Sequence, residues 1–182
     1  GVARLLRERG TGFVTPAGPV PIVVGMSLFD ASVAGEPPDA EAGRRAALAA
    51  LDGTPFRTGR EGAGTGATTG KWRGRLDPGG LGLDERTAGP ARVAAVVAVN
   101  AWGDILTPDG APMTPDAGSP PAEASAEPWA EAPFGLTNTT IAAILTDAVL
   151  TKTECYLLAQ SAHTGFARAL HPAHSRYDGD AA

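Results

Sequence analysis

Residues 91–99, ARVAAVVAV, form a continuous apolar run of strand length. After Arg92, seven residues run from Val93 to Val99 without a polar break, and such a run suits a strand covered on both faces. A second run of this type, TNTTIAAILTDAVL, occupies 137–150. Between them, residues 107–134 hold seven prolines among Ala, Glu, Ser and Asp, with no periodicity, which reads as a linker or long loop. The framework is therefore two buried-type strands separated by a non-regular stretch.

Helices flank these strands. Pro37-Pro38 block an early start, Asp39 can cap and Gly53 can stop, so residues 36–53 read as a helix with the small face Ala42, Ala46, Ala47, Ala50 and Leu51. Thr151-Lys152-Thr153-Glu154 is a capping box. It opens a helix with Cys155, Leu158, Ala159, Ala162, Phe166 and Ala169 at helical spacing, ended by Pro172. Cys155 on that stripe reads as an inert buried thiol. Residues 11–25 alternate turn residues with a short β-type run at Ile22–Val24, and Ile105-Leu106 starts a further strand after the Gly103-Asp104 turn. Residues 59–83 contain nine glycines and read as a tight, close-packed loop. Gly70-Lys71 is followed by Trp72, not Ser or Thr, so this is no Walker loop. The mixture of helices and strands indicates an α+β chain.

Composition narrows the function classes. The core draws on 35 alanines with Val, Leu and Ile, because aromatic residues make up only 5%. A net charge of −5 leaves no basic patch for phosphates, which excludes a nucleic-acid partner. No apolar run reaches 18 residues, so no membrane helix is indicated. A single cysteine makes no internal disulfide, and the N-terminus lacks a signal pattern, so the compartment reads as cytoplasmic. The chain starts without Met, directly in the helical pattern Val2, Leu5, Leu6, and stops two residues after Asp-Gly-Asp, as a segment of a larger protein would.

Several residues could carry chemistry. His171-x-x-His174 with Asp178 is a sparse metal set without a further ligand at defined spacing, and no metal is expected. Asn138-Thr139-Thr140 matches a glycosylation sequon in a chain with no sign of secretion. The same three residues sit where a linker meets a buried strand. Cleavage between Asn138 and Thr139 would leave the Thr139 hydroxyl beside its own α-amine, a local general base with a reference pKa of about 7.7–8.0.

The segments VARLLRERGTGFVTPAGPVPIV, GAGTGATTGKWRG, VAAVVAVNAWGDI and NTTIAAILTDAVLTKTECYLLAQSAHTGFARALHPAHSRYDGD occur in this order. Together they resemble the DmpA-type aminopeptidases, the L-aminopeptidase/D-esterase and β-peptidyl aminopeptidase family. The resemblance implies an αββα sandwich of the N-terminal-nucleophile type, related to the ornithine acetyltransferase fold and incomplete in this chain. It implies a precursor that cuts itself, here between Asn138 and Thr139. Residues 1–138 would be the large-subunit portion and 139–182 the small-subunit portion. Thr139 becomes the nucleophile, Asn100 an oxyanion-hole donor, and Asp178 and Asp180 the support for the nucleophile and its amine. Gly70 stands where some members carry a tyrosine, next to Lys71, and the pair is a weaker expectation for substrate binding. The implied activity is hydrolysis of short peptides, amides or esters through an acyl-Thr intermediate, without cofactor, in a homo-oligomer. The rival readings are an ornithine-acetyltransferase-like acyl transferase and a non-catalytic truncated remnant.

Overall fold

The structure, a computed structural model, describes residues 1–30, 36–114 and 138–182. The greater part of the expected linker at 107–134 lies outside the described residues. The chain divides into two compact units, Gly1–Ser27 with Gly35–Arg57, and Leu28–Ala34 with Thr58–Ala182.

In the first unit, α1 (Val2–Glu8) packs on α2 (Ala40–Leu51). Asp39 caps α2 as expected, its carboxylate accepting from Ala42 N at 2.7 Å. The helix starts later than residue 36 because the Pro37-Pro38 pair fixes an extended entry. The two helices meet where Gly43 faces Val2, and Glu8 pairs with Arg44 at 2.7 Å. The β-type run expected at Ile22–Val24 is not a strand. The hairpin forms earlier, β1 (Phe13–Thr15) against β2 (Gly18–Val20), because Thr15 and Gly18 close a turn there and Pro21 supplies no amide to extend the ladder.

The second unit is built on a three-stranded antiparallel sheet in the order β5 (Gly80–Ala88), β6 (Ala91–Asn100), β8 (Thr139–Thr146). Both apolar runs are thus adjacent strands. The capping box at Thr151 forms with both reciprocal bonds present and opens α3 (Lys152–Ala169). Phe166 of α3 joins Ala101, Ala142 and Leu170 in the core, with Val97, Val99 and Ile144 packed against them. Paired residues share a face, so α3 covers the Val97, Val99, Thr140 and Ala142 side.

Two expectations are adjusted here. At its Asn100 end β6 is covered on both faces, Ala98 and Asn100 being buried on the side away from α3, but that side opens over the neighbouring strands, where Leu83 and Leu145 are 45% and 55% exposed. Cys155 is exposed, because the first turns of α3 stand clear of the sheet and only Phe166 of its stripe is fully buried.

The Gly-rich stretch is close-packed, as expected. A side chain at Gly64 would meet the Gly59 carbonyl at 2.5 Å, and one at Gly79 would collide with Val99 O. It also contains structure that its glycines mask: short β3 (Thr68–Thr69) pairs with β4 (Asp77–Pro78), and Gly80 and Gly82 already belong to β5. β7 (Asp104–Ile105) forms at the expected Ile105 and pairs with β9 (Leu170–His171). Beyond α3, the chain end lies parallel to β8 at its free edge, with bridges at Asn138–Asp178 and Ile141–Ala181.

Candidate active site

β6 ends and β8 begins at the same level, so Asn100 and Thr139 are direct cross-strand partners. Their side chains share the sheet face away from α3. Asn100 is fully buried. Its Oδ1 accepts from Thr68 N at 3.0 Å and from Lys71 Nζ at 2.9 Å, and its Nδ2 donates to Phe29 O at 3.1 Å. Two donors on one atom fix which way the amide points.

Lys71 reaches Asn100 because of a 3-10 turn, Lys71–Arg73, that starts at Gly70. Gly70 has φ +71°, a left-handed backbone that favours glycine, and a Cβ there would come within 2.8 Å of Asp77 Oδ2, so a side chain would have to displace that carboxylate. The turn is fastened to the segment after β6. Gly70 N donates to Gly103 O at 2.9 Å and Trp72 N to Trp102 O at 3.1 Å. Arg73 and Trp72 Nε1 both bond the buried Asp104, at 2.7 and 2.9 Å. Burial lowers the Lys71 ammonium from 10.5 to about 8, against the opposing pull of the Asp178 charge. An amine in that range exchanges protons near neutrality. The Gly70-Lys71 pair, expected only to touch substrate, thus places a base candidate on Asn100.

The other wall is the chain end. Asp178 Oδ1 accepts from Trp102 N at 3.0 Å, and Oδ2 from Ser175 N at 3.0 Å and Ser175 Oγ at 2.5 Å. Burial raises the Asp178 carboxyl pKa, the Ser175 and Trp102 bonds oppose this, and the Asp180 charge adds to it. Asp180 Oδ1 accepts from Thr140 N at 2.7 Å, and Oδ2 lies 2.8 Å from His174 Nδ1. Between the two carboxylates, Gly179 N donates to Asn138 O at 2.8 Å.

That carbonyl receives a second donor: Thr139 Oγ1 donates to Asn138 O at 2.5 Å. Asn138 itself is buried and its Nδ2 donates to Tyr177 O at 3.2 Å. The bond between Asn138 and Thr139 is therefore pinned on both sides. A carbonyl oxygen flanked by donors is polarised toward attack at its carbon, and Thr139 Oγ1 is already beside it.

The structure brings Asn100, Lys71, Asn138 and Thr139 together, with the Asp180 carboxylate on Thr140 N and the Asp178 carboxylate on Trp102 N and Ser175. Among the described contacts, the two carboxylates hold Trp102 N, Ser175, Thr140 N and His174, so they act on the frame around the hydroxyl. His171, His174 and Asp178 go to separate partners: His171 stacks edge-on against Trp72, with ring centroids 5.9 Å apart. No group of three or more metal-binding side chains occurs among the described residues. Sequence reasoning missed Gly179, which the Asp-Gly-Asp string marked only as a turn, and weighed His174 only as part of a sparse metal set, not as a partner of Asp180.

Hydroxyl, amine and polarised carbonyl gathered at one strand end are the parts that acyl-transfer chemistry uses. The chain belongs to peptidase family S58, whose profile matches residues 1–182. It is 37% identical over 196 aligned residues to an uncharacterized aminopeptidase of Mycobacterium leprae, covering 99% of this chain and 53% of that protein. An uncharacterized aminopeptidase of Mycobacterium tuberculosis is 36% identical, over 99% of this chain and 55% of its own length. A 6-aminohexanoate-oligomer endohydrolase of Agromyces is 33% identical over 79% of this chain and 43% of that enzyme. The chain spans about half the length of the mycobacterial relatives it matches. No described helix is long and apolar enough to cross a membrane.

Proposed function

We propose that this chain is the processing and nucleophile-bearing part of a self-cleaving amidohydrolase that works through an acyl-Thr139 intermediate. The observation that carries the reading is the pair of donors, Gly179 N and Thr139 Oγ1, on the Asn138 carbonyl.

In the first step Thr139 Oγ attacks the Asn138 carbonyl carbon, and its proton passes to the neutral Lys71 amine. The Gly179 amide stabilises the developing oxyanion. Collapse breaks the Asn138–Thr139 C–N bond, with the proton delivered to the leaving Thr139 nitrogen. This leaves an ester between the Asn138 acyl group and Thr139 Oγ. Water hydrolyses the ester, freeing the Asn138 carboxylate and the Thr139 hydroxyl, beside the α-amine that the previous step released. The pieces are residues 1–138 and a portion that begins at 139.

In turnover the freed Thr139 attacks a substrate amide, its α-amine serving as local base. The substrate amine leaves, and water releases the acyl group. Aminopeptidase and oligomer-endohydrolase relatives support short peptides, amides and ω-amino-acid oligomers as the substrate class. The exposed Leu83–Leu145 face of the sheet supports an αββα sandwich in which a second sheet covers that side. The test is hydrolysis of amino-acid p-nitroanilides and 6-aminohexanoate oligomers by the protein expressed in its natural reading frame. Thr139→Ala should abolish turnover and leave the chain intact, and Thr139→Ser should retain both activities. Turnover by Thr139→Ala at the parent rate would rule out the acyl-Thr route.

A further inference from the structure

Behind Asp180 stands a polar line that the proposed chemistry does not use. His174 has φ +51°, a left-handed backbone uncommon for a residue with a side chain. Its Nδ1 lies 2.8 Å from Asp180 Oδ2, and its Nε2 3.4 Å from the His163 carbonyl oxygen on α3. The His174 ring packs at 5.0 Å from the His163 ring and 5.8 Å from that of Phe166, a core residue. The Asp180 side chain is 4% exposed, and its other oxygen carries Thr140 N at 2.7 Å.

The line thus runs from α3 through His174 and Asp180 to the amide one residue past Thr139. A carboxylate this buried needs donors on both oxygens, and one left without its second partner turns toward water or gives up its first. A left-handed side-chain-bearing residue persists where its surroundings over-determine it, and such sites gather where geometry matters for function.

We propose that His174 is a positioning residue. By holding Asp180 it fixes the Thr140 amide, and with it the approach of Thr139 Oγ1 to the Asn138 carbonyl. The inference rests on the self-cleavage reading for its consequence, but its structural half is separately measurable. Asn at position 174 places an amide N–H where Nδ1 stands and tolerates the left-handed backbone. Gln places its amide near the Nε2 position instead, and Ala supplies no donor.

Two measurements are made in the natural reading frame. Self-cleavage is followed by intact mass. Hydrogen exchange of the Thr140 amide is followed on a Thr139→Ala background, where all chains are uncut. His174→Ala and His174→Gln should each slow cleavage and speed Thr140 exchange about ten-fold or more. His174→Asn should bring both back to within about three-fold of the parent. Thr140 exchange unchanged in His174→Ala and His174→Gln would overturn the proposal. Equal impairment of Asn, Gln and Ala would also overturn it, since ring packing and not the bond to Asp180 would then be what counts. A parent protein that never cuts, yet whose Thr140 protection depends on His174 in this order, would refute self-cleavage and still support the positioning role.

Discussion

The base role proposed for Lys71 ties the site's response to pH to one amine, buried beside Asn100 with its pKa lowered to about 8. The fall from 10.5 means that the fold disfavours the charged form by roughly 3 kcal/mol. Below about pH 8 the folded chain holds the charge in place and carries the whole penalty. Between about 8 and 10.5 the unfolded chain still binds a proton that the folded chain has released, so stability rises with pH across that window and levels above it. Lys71→Met removes the penalty and takes one donor from Asn100 Oδ1, a loss of about 1 kcal/mol. Urea unfolding at pH 7, on a Thr139→Ala background, should therefore show Lys71→Met more stable by about 2 kcal/mol. Its stability should stay flat from about pH 8 to 10.5, where the parent rises. The same substitution removes the proposed base. Parent self-cleavage should climb with pH and reach a plateau above about 8, while Lys71→Met should cut about 10²–10⁴-fold more slowly with no such inflection. A parent rate that is level between about pH 6 and 9, or a Met variant that cuts as fast as the parent, would refute the role given to Lys71.

The remaining predictions separate chemistry from framework. Gly179→Ala puts a methyl group 3.1 Å from Thr139 Oγ1 and 3.7 Å from Asn138 O. Intact-mass kinetics should show cleavage slowed by about 10²-fold with little change in unfolding midpoint. Asn100→Ala leaves Thr68 N and Lys71 Nζ each short of an acceptor, and should cost about 2–4 kcal/mol in denaturant unfolding and stop cleavage. Thr151→Ala dismantles the capping box far from the site. It should cost about 1 kcal/mol and leave the cleavage rate unchanged, which calibrates how much a purely structural loss matters.

Much of the frame was legible because it rests on local chemistry. The capping box at Thr151, the Asp39 cap and the apolar β6 and β8 runs each declare themselves within a few residues. β5 was hidden because glycines at 80 and 82 made its start look like loop, although Leu81 and Leu83 alternate and Gly89-Pro90 mark the turn into β6. The opening of the sheet face at Leu83 and Leu145 could not be read, since an apolar run looks the same wherever along it the cover ends. At the site, the family pattern picked out Asn100, Asn138, Thr139 and the two aspartates. It did not show how the aspartates act, because their partners Trp102, Ser175, Thr140 and His174 come from turns and a strand start. Nor could it show the state of Lys71, which depends on burial beside a residue 29 positions away.

The acyl-Thr139 function depends on the bond between Asn138 and Thr139 being cut by the protein itself. The direct measurement is intact mass and N-terminal sequencing of protein purified from its natural reading frame, with Thr139→Ala alongside. Two associated chains, the second beginning Thr-Thr-Ile-Ala, and an uncut Thr139→Ala variant are the predicted result. A single uncut parent chain after prolonged incubation above about pH 8, or a Thr139→Ala variant cut at the same bond, would contradict it.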